Sequence, residues 1–286
     1  MILVETNMEI CRTVEEIRAI TRQWRKEGKS ICLVPTMGYL HAGHMSLVTK
    51  AHELADKVVV SIFVNPTQFG PTEDLDKYPR DFKRDSEACE ANGVDAIFAP
   101  TPDVMYAKDF STWVTEEKLS KPMCGVSRPI HFRGVCTVVL KLFNIVGCDS
   151  AVFGRKDAQQ ALIIQRMVRD LNVPVEIVTS PLVREADNLA MSSRNRYLSE
   201  DEHRRALSLS RGILEAEKQY AAGERDAAKL IEIVRSSVEA NGGKVDYIVL
   251  NDRMNLQPLE KADRPAILAA AVYFGTTRLI DNVFLG

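Results

Sequence analysis

SICLVPTMGYLHAGHMSLVTKAHEL, residues 30–54, decides the fold. Ser30–Pro35 is a short apolar run that reads as a buried strand, and the residues through Leu54 read as a helix. The two are joined by a turn that carries Gly38 and Gly43. Working outward, Lys57–Val64 (KVVVSIFV) is a second strand, and it runs into the polar loop NPTQFGPTEDLDKYPR at 65–80. A charged helix from Arg80 to Asn92 leads to a third strand at Asp95–Ala99. After an irregular stretch, Val135, Val138, Val139, Leu142 and Val146 mark one face of a helix. Ser150–Phe153 and Val175–Val178 read as further strands, with a helical segment at Asp157–Leu171 between them. Strands alternating with helices predict an α/β fold, a doubly wound parallel sheet covered on both sides. In such sheets ligands bind outside the carboxyl ends of the strands.

The pattern changes at the polar segment Arg184–Asn195. Ser199 with Glu202 three residues on is a capping box, and it opens a helix with Ala206, Leu207, Ile213, Leu214 and Tyr220 on its apolar side. A second helix is expected over about Asp226–Ala240, with strands at Val245–Leu250 and within Ala266–Phe284. The expected organisation is therefore a large domain at 1–183 and a smaller α+β domain at 184–286. No internal repeat or low-complexity linker interrupts it.

Composition narrows the function. Lys and Arg total 37 against 39 Asp and Glu, for a net charge of −2, so no basic field exists to hold a nucleic acid. The start of the chain, MILVETNMEICRTVEEI, matches neither a signal nor a transit peptide, and no run is long enough to span a bilayer. The six cysteines form no C-x-x-C pair and no zinc-type spacing with histidine, which predicts buried free thiols in a reducing, cytoplasmic setting.

The chemistry is expected at strand–helix junctions. A helix start offers backbone N–H donors and the positive end of the helix dipole, both suited to phosphate. In Pro35–His44, two glycines permit unusual backbone angles. His41 and His44, three apart, can address one ligand. A P-loop is excluded, because His44-Met45 stands where Lys-Ser/Thr is needed. Two other readings are a metal pair, which lacks an evident third ligand, and histidines that merely pack at a helix start. Lys156, in Phe153–Asp157, can place a point charge on a phosphate or can be an ordinary solvated lysine. Gln160 lies in register with Ile164, Met167 and Leu171, a core-facing stripe, so its amide needs polar partners unless it sits half in solvent. Gln68 follows the second strand. Met191–Asn195 offers two hydroxyls, an arginine and an amide, suited to closing over a triphosphate.

Five blocks in order resemble the pantothenate synthetase (pantoate–β-alanine ligase) family. They are PTMGYLHAGH at 35–44, VNPTQFGPTEDLDKYPRD at 64–81, HFRGVCTVVLKLFN at 131–144, FGRKDAQQ at 153–160 and VREADNLAMSSRNRYLS at 183–199. H-x-G-H alone marks only the wider nucleotidyltransferase superfamily. The resemblance implies a Rossmann-like sheet and a two-step reaction. ATP and (R)-pantoate give a pantoyl-adenylate and pyrophosphate, and β-alanine then displaces AMP. Magnesium accompanies ATP, and a homodimer is implied. Residue by residue, the resemblance places Met37, Gly38, Tyr39, Leu40, His41, Ala42, Gly43 and His44 at ATP, with His41 the proton donor and His44 assisting at the phosphates. It adds Gly154, Arg155, Lys156 and Asp157, Val183, and Met191, Ser192, Ser193 and Arg194 to the ATP contacts. Lys156 and Arg194 carry the charge. Gln68 would contact pantoate and β-alanine, and Gln160 would hold pantoate. Asp85 is a candidate helper for magnesium, and no metal-ligand set is identified. Ala42 and Arg155 depart from the family's pattern, in which acidic residues are common at both positions. The competing functions are a nucleotidyltransferase with a phosphorylated acceptor, an aminoacyl-tRNA synthetase and a nucleotide-sensing module.

Overall fold

The computed structural model describes residues 8–71 and 73–286. Thr72 and Met1–Asn7 lie outside the described residues, so the reading of the chain's first residues falls partly beyond them. The chain opens with β1 (Glu9–Cys11) and α1 (Val14–Lys26), where the sequence suggested no element. Thr13 and Glu16 form a capping box at the start of α1, a Thr-x-x-Glu signal present in the sequence. Then follow β2 (Ile31–Thr36), α2 (Ala42–His52), β3 (Lys57–Ile62), α3 (Phe82–Ala91) and β4 (Ala96–Phe98). The irregular stretch holds two four-residue helices, α4 (Pro102–Met105) and α5 (Cys124–Ser127). Next come α6 (His131–Val146), β5 (Ser150–Gly154), α7 (Ala158–Asp170) and β6 (Glu176–Ser180). The last elements are α8 (Glu200–Ala221), α9 (Ala227–Glu239), β7 (Lys244–Asp252), β8 (Ala266–Phe274) and β9 (Thr277–Leu285).

The chain divides into two compact units. The first comprises the residues up to Ser120, Arg128–Arg155 and Gln159–Pro181. Its sheet has the order β1-β4-β3-β2-β5-β6, and every pairing is parallel. From β2 the chain winds one way through β3 and β4, then returns to add β5 and β6 on the other side. The topological switch point thus lies between β2 and β5, where Cys32 pairs with Ser150 and Leu33 with Ala151. Strands buried on both faces must be apolar throughout, and Ile31, Cys32, Leu33 and Val34 are all fully buried. Cys32 and Val34 pack with Leu47, Val48 and Ala51 of α2. Side chains alternate along a strand, so Ile31 and Leu33 face the opposite side, where α6 meets β2.

The stripe expected on α7 needs correction. Ile164 and Met167 are buried, but Leu171 is 52% exposed because α7 ends at Asp170. The fully buried amide is Gln159, 5% exposed, whose Nε2 donates to the Leu119 carbonyl at 2.9 Å. Gln160 is half-buried.

The second unit comprises Lys121–Ser127, Lys156–Ala158 and Leu182–Gly286. Its sheet is the antiparallel meander β7-β8-β9, with α8 and α9 packed against it. The Ser199–Glu202 capping box opens α8 as expected. The buried line of α8 runs through Ala206, Leu209, Ile213 and Ala216, while Leu207 and Tyr220 flank that core. No helix among the described residues is long and apolar enough to cross a membrane. All six cysteines are free and buried. Burial pushes the Cys32 thiol up to about 11 and the Cys89 and Cys136 thiols up to about 12.

Candidate active site

At the carboxyl end of β2 the backbone is held in an unusual turn. Gly38 has φ +82° and Tyr39 has φ +51°. Thr36 Oγ1 donates to the Ser61 carbonyl at 2.7 Å and accepts the Gly38 N–H at 3.1 Å. The next two N–H groups are taken by Asp85 on α3. Tyr39 N–H donates to Oδ2 and Leu40 N–H to Oδ1, both at 2.7 Å. Asp85 is 1% exposed, and a Cβ at position 38 would stand 2.9 Å from its Oδ2. Glycine is therefore required at 38 for both its backbone angle and its space. Asp85, the candidate helper for magnesium, is thereby tied to this turn. Both of its oxygens are engaged in holding the turn, and it is shut away from solvent. Burial pushes its carboxyl above the ordinary range, against the opposing pull of the two N–H bonds.

Four consecutive N–H groups expected to meet phosphate, those of Gly38, Tyr39, Leu40 and His41, are thus used internally. His41 is the N-cap of α2, with φ −142° and ψ 175°, one residue outside the helix rather than on it. Its ring centroid lies 4.0 Å from that of His44, and its N–H donates to His44 Nδ1 at 3.3 Å. With Nδ1 accepting, a neutral His44 carries its proton on Nε2 and presents that nitrogen as a donor. Met37 and Gly43 are half-buried and Ala42 is exposed. The Tyr39 ring is covered by the Arg84 guanidinium at 4.7 Å.

Gln68 sits at the end of a 3-10 turn, Pro66–Gln68, after β3. Its Oε1 accepts from Asn65 Nδ2 at 3.0 Å, and its Nε2 points to Met37 Sδ at 3.1 Å, so the two sequence blocks meet here. Asn65 is fixed in turn by Tyr106, whose hydroxyl donates to its Oδ1 at 2.8 Å. The Gln68 carbonyl lies 3.0 Å from His131 Nδ1, and Arg128 beside it pairs with Glu73. Burial pushes the Glu73 carboxyl up, but the Arg128 bonds outweigh this and hold it below its ordinary value. The turn can lie on α6 only because residue 134 is glycine. A Cβ there would be 2.5 Å from the Thr67 carbonyl oxygen and 2.7 Å from Gln68 N. Asn65, Tyr106, Arg128 and Glu73 were not singled out in the sequence. Their signal was membership in the matching blocks for all but Tyr106 and Arg128, which lie in the stretch read as irregular.

At the end of β5, Gly154 and Arg155 are half-buried. In the second unit, Lys156 and Asp157 continue the 3-10 turn Arg155–Asp157, with Lys156 Nζ 3.6 Å from Asp157 Oδ2. The Lys156 carbonyl accepts from Asn282 Nδ2 on β9 at 3.0 Å. The neighbouring Asp281, 1% exposed, accepts both terminal nitrogens of Arg184 at 2.7 and 2.9 Å. Met191 N–H donates to the Val183 carbonyl at 3.0 Å, which joins the two ends of the polar segment. Ser192 Oγ accepts the Arg194 N–H at 3.3 Å and caps the 3-10 turn Ser193–Tyr197.

A glycine turn and paired histidines at the switch point of a doubly wound parallel sheet stand where α/β enzymes bind their ligands. The chain belongs to the pantoate–β-alanine ligase family. The family's sequence profile, described as pantoate-beta-alanine ligase, matches residues 9–284. A pantothenate synthetase of Pelotomaculum thermopropionicum is 54% identical over 98% of this chain and 99% of its own length. One from Thermotoga petrophila is 54% identical over 98% of this chain and 100% of its own. The solved pantothenate synthetase of Thermus thermophilus superposes with a TM-score of 0.92 at 42% identity, covering 96% of this chain and 99% of that one. A Francisella tularensis pantoate-beta-alanine ligase, solved with beta-gamma ATP and beta-alanine, has a TM-score of 0.81 at 32% identity, over 96% and 97% of the two chains.

Proposed function

We propose that this chain condenses (R)-pantoate with β-alanine using ATP, by way of a pantoyl-adenylate, and releases AMP and pyrophosphate. The observation that carries this reading is the pairing of His41 and His44 at the start of α2, beside the switch point, in a member of this family. The beta-gamma ATP and beta-alanine bound to the Francisella relative support ATP and β-alanine as two of these substrates.

In the first step a pantoate carboxylate oxygen forms a bond to the α-phosphorus, and the bond to the bridging oxygen of pyrophosphate breaks. Two anions must meet, so the site needs positioned donors and cations more than a protein nucleophile. His44 donates from Nε2 to the phosphates, and His41 beside it is the proton donor. Lys156 and Arg194 supply positive charge, and Met37 to His44, Gly154 to Asp157, Val183 and Met191 to Ser193 complete the ATP contacts. Gln68 and Gln160 hold pantoate, and Gln68 also meets β-alanine. In the second step the β-alanine amine attacks the acyl carbon, the bond to AMP breaks and the amine loses a proton. Magnesium enters with ATP as part of the substrate, held by its phosphates. Asp85, which holds the turn with both oxygens, is the candidate helper for that ion. The enzyme, with domains expected at 1–183 and 184–286, is homodimeric and cytoplasmic.

Pyrophosphate exchange into ATP tests this directly. Exchange should require pantoate and should not require β-alanine. Exchange driven by a phosphorylated acceptor, or none at all, would exclude the proposed reaction. His44→Ala should lower the exchange rate by about 2–4 kcal/mol in transition-state terms, the range for a lost electrostatic donor.

A further inference from the structure

Strand β9 carries two adjacent polar residues inside an apolar run. Asp281 is 1% exposed and Asn282 is 8% exposed, between Leu279 and Leu285 of the second unit's core. Burying a carboxylate and an amide is unfavourable unless each finds partners, and well-packed apolar side chains would serve stability as well or better. Both residues direct their bonds to segments far away in the chain. Side chains alternate along a strand, so the two point to opposite faces of the sheet. Asp281 shares its face with Leu279 and Leu285, and there it takes both terminal nitrogens of Arg184, 97 positions earlier. Asn282 faces the other way and meets the Lys156 carbonyl.

The bond to Lys156 has one sense only. A carbonyl can only accept, so the amide must turn Nδ2 toward it, at 3.0 Å, and a flip would set oxygen against oxygen. The Asn282 backbone is held as well, because its N–H donates to Asp281 Oδ1 at 2.7 Å. Arg184 completes the frame, with Nη1 also on the Asn188 carbonyl at 3.1 Å in the polar segment. The turn Arg155–Asp157 is a short 3-10 piece, a form whose own hydrogen bonds have poor geometry. An outside bond to its central carbonyl therefore fixes where the Lys156 side chain starts. From there the ammonium lies 3.6 Å from Asp157 Oδ2, with the lysine side chain 21% exposed. Its charge reaches β9 too. Burial pushes the Asp281 carboxyl above the ordinary range, and Arg184 and Lys156 pull against that.

We propose that Asn282 is a positioning residue for Lys156: by holding the lysine's carbonyl it aims the ammonium at the ATP phosphates, acting through Lys156 and not on the nucleotide directly. This rests on the placement of Lys156 at ATP in the proposed function. Asn282 itself lies beyond the five blocks that carry the family resemblance.

A double-variant cycle on the full chain, with ATP affinity read by titration calorimetry in excess Mg2+, tests it. Lys156→Ala keeps the carbonyl and removes the ammonium, and should weaken ATP binding at least about tenfold, the lower end for a hydrogen bond to a charged group. Asn282→Ala should weaken it at least about fivefold, within the range of coupled contacts. Asn282→Leu fills nearly the same space without a donor and should do the same, which covers a poorly packed alanine variant. With the ammonium already gone, loss of Asn282 should matter no further. The double variant Lys156→Ala with Asn282→Ala should therefore bind ATP within about twofold of Lys156→Ala alone. A merely structural asparagine would instead add its full loss. Parent affinity in both Asn282 variants, or losses that multiply in the double variant, would overturn the role of Asn282 while leaving Lys156 at ATP. Parent affinity in Lys156→Ala would remove Lys156 from ATP and this role with it.

Discussion

Asp85 shows how far a single residue's chemistry depends on its partners. Its carboxylate holds two consecutive N–H groups that lie 46 and 45 positions earlier in the chain. Nothing local to Asp85 announces them, so in the sequence it reads as a free acid near a nucleotide. Asp85→Ala should strand both N–H groups in a closed space and cost about 1–3 kcal/mol for each, read as a lower urea midpoint. Asp85→Asn can accept only one of them and should fall between. Glu73 makes a pH prediction. Its carboxyl is held below its ordinary 4.5, so the pair with Arg128 stabilises the fold fully above that value and loses this contribution as pH falls through the lowered one. Glu73→Gln should therefore be less stable at neutral pH and show a flatter loss as pH falls below 4.5, measured by denaturant titration at each pH. A variant with the parent's full acid dependence would remove Glu73 from that role. His41 and His44 were visible in the sequence as a pair, because proximity three residues apart at a helix start needs no tertiary information.

At the scale of elements, Gly134 is the position most open to test. It lies in α6, where glycine is intrinsically unfavourable, so replacement by alanine would ordinarily stabilise the helix. Here the added methyl would meet the backbone of Thr67 and Gln68. Gly134→Ala should cost about 1–3 kcal/mol by overpacking and displace the Gln68 turn. Under the proposed function it should raise the KM for pantoate more than that for ATP. An unchanged KM for pantoate in a folded variant would separate Gln68 from substrate. Strongly patterned elements were legible, among them β2, β3, α6 and the capping box of α8. Others were not, for identifiable reasons. β1 is three residues long with Ile10 45% exposed, so no alternation can show. α4 and α5 span a single turn each and carry no period. On α7 the stripe was followed one residue past the helix end, which gave Leu171 a place in the core that it does not have, and left Gln159 unnoticed.

For the whole molecule, burial of all six thiols predicts a uniform chemical silence. A thiol-reactive chromogenic disulfide at neutral pH should label well under one cysteine per folded chain on the timescale of minutes, and all six after unfolding. Rapid labelling in the native state would show that one of them is reached by solvent. The parallel sheet and its switch point were readable because alternation of strands and helices leaves few topologies. The composition of the second unit was not, since it recruits Lys121–Ser127 and Lys156–Ala158 from far earlier in the chain. That recruitment has a consequence for biosynthesis. The Lys156 carbonyl is held by Asn282, 126 residues later and on the last strand. A ribosome emits the lysine long before its anchor, so the second unit cannot be finished until residue 282 has been made. A chain released early would lack β9, the buried partner of Arg184 and the tether of Lys156 together. Products terminated before β9 are thus left incomplete at that lysine, and synthesis through β9 becomes a condition for assembling its surroundings.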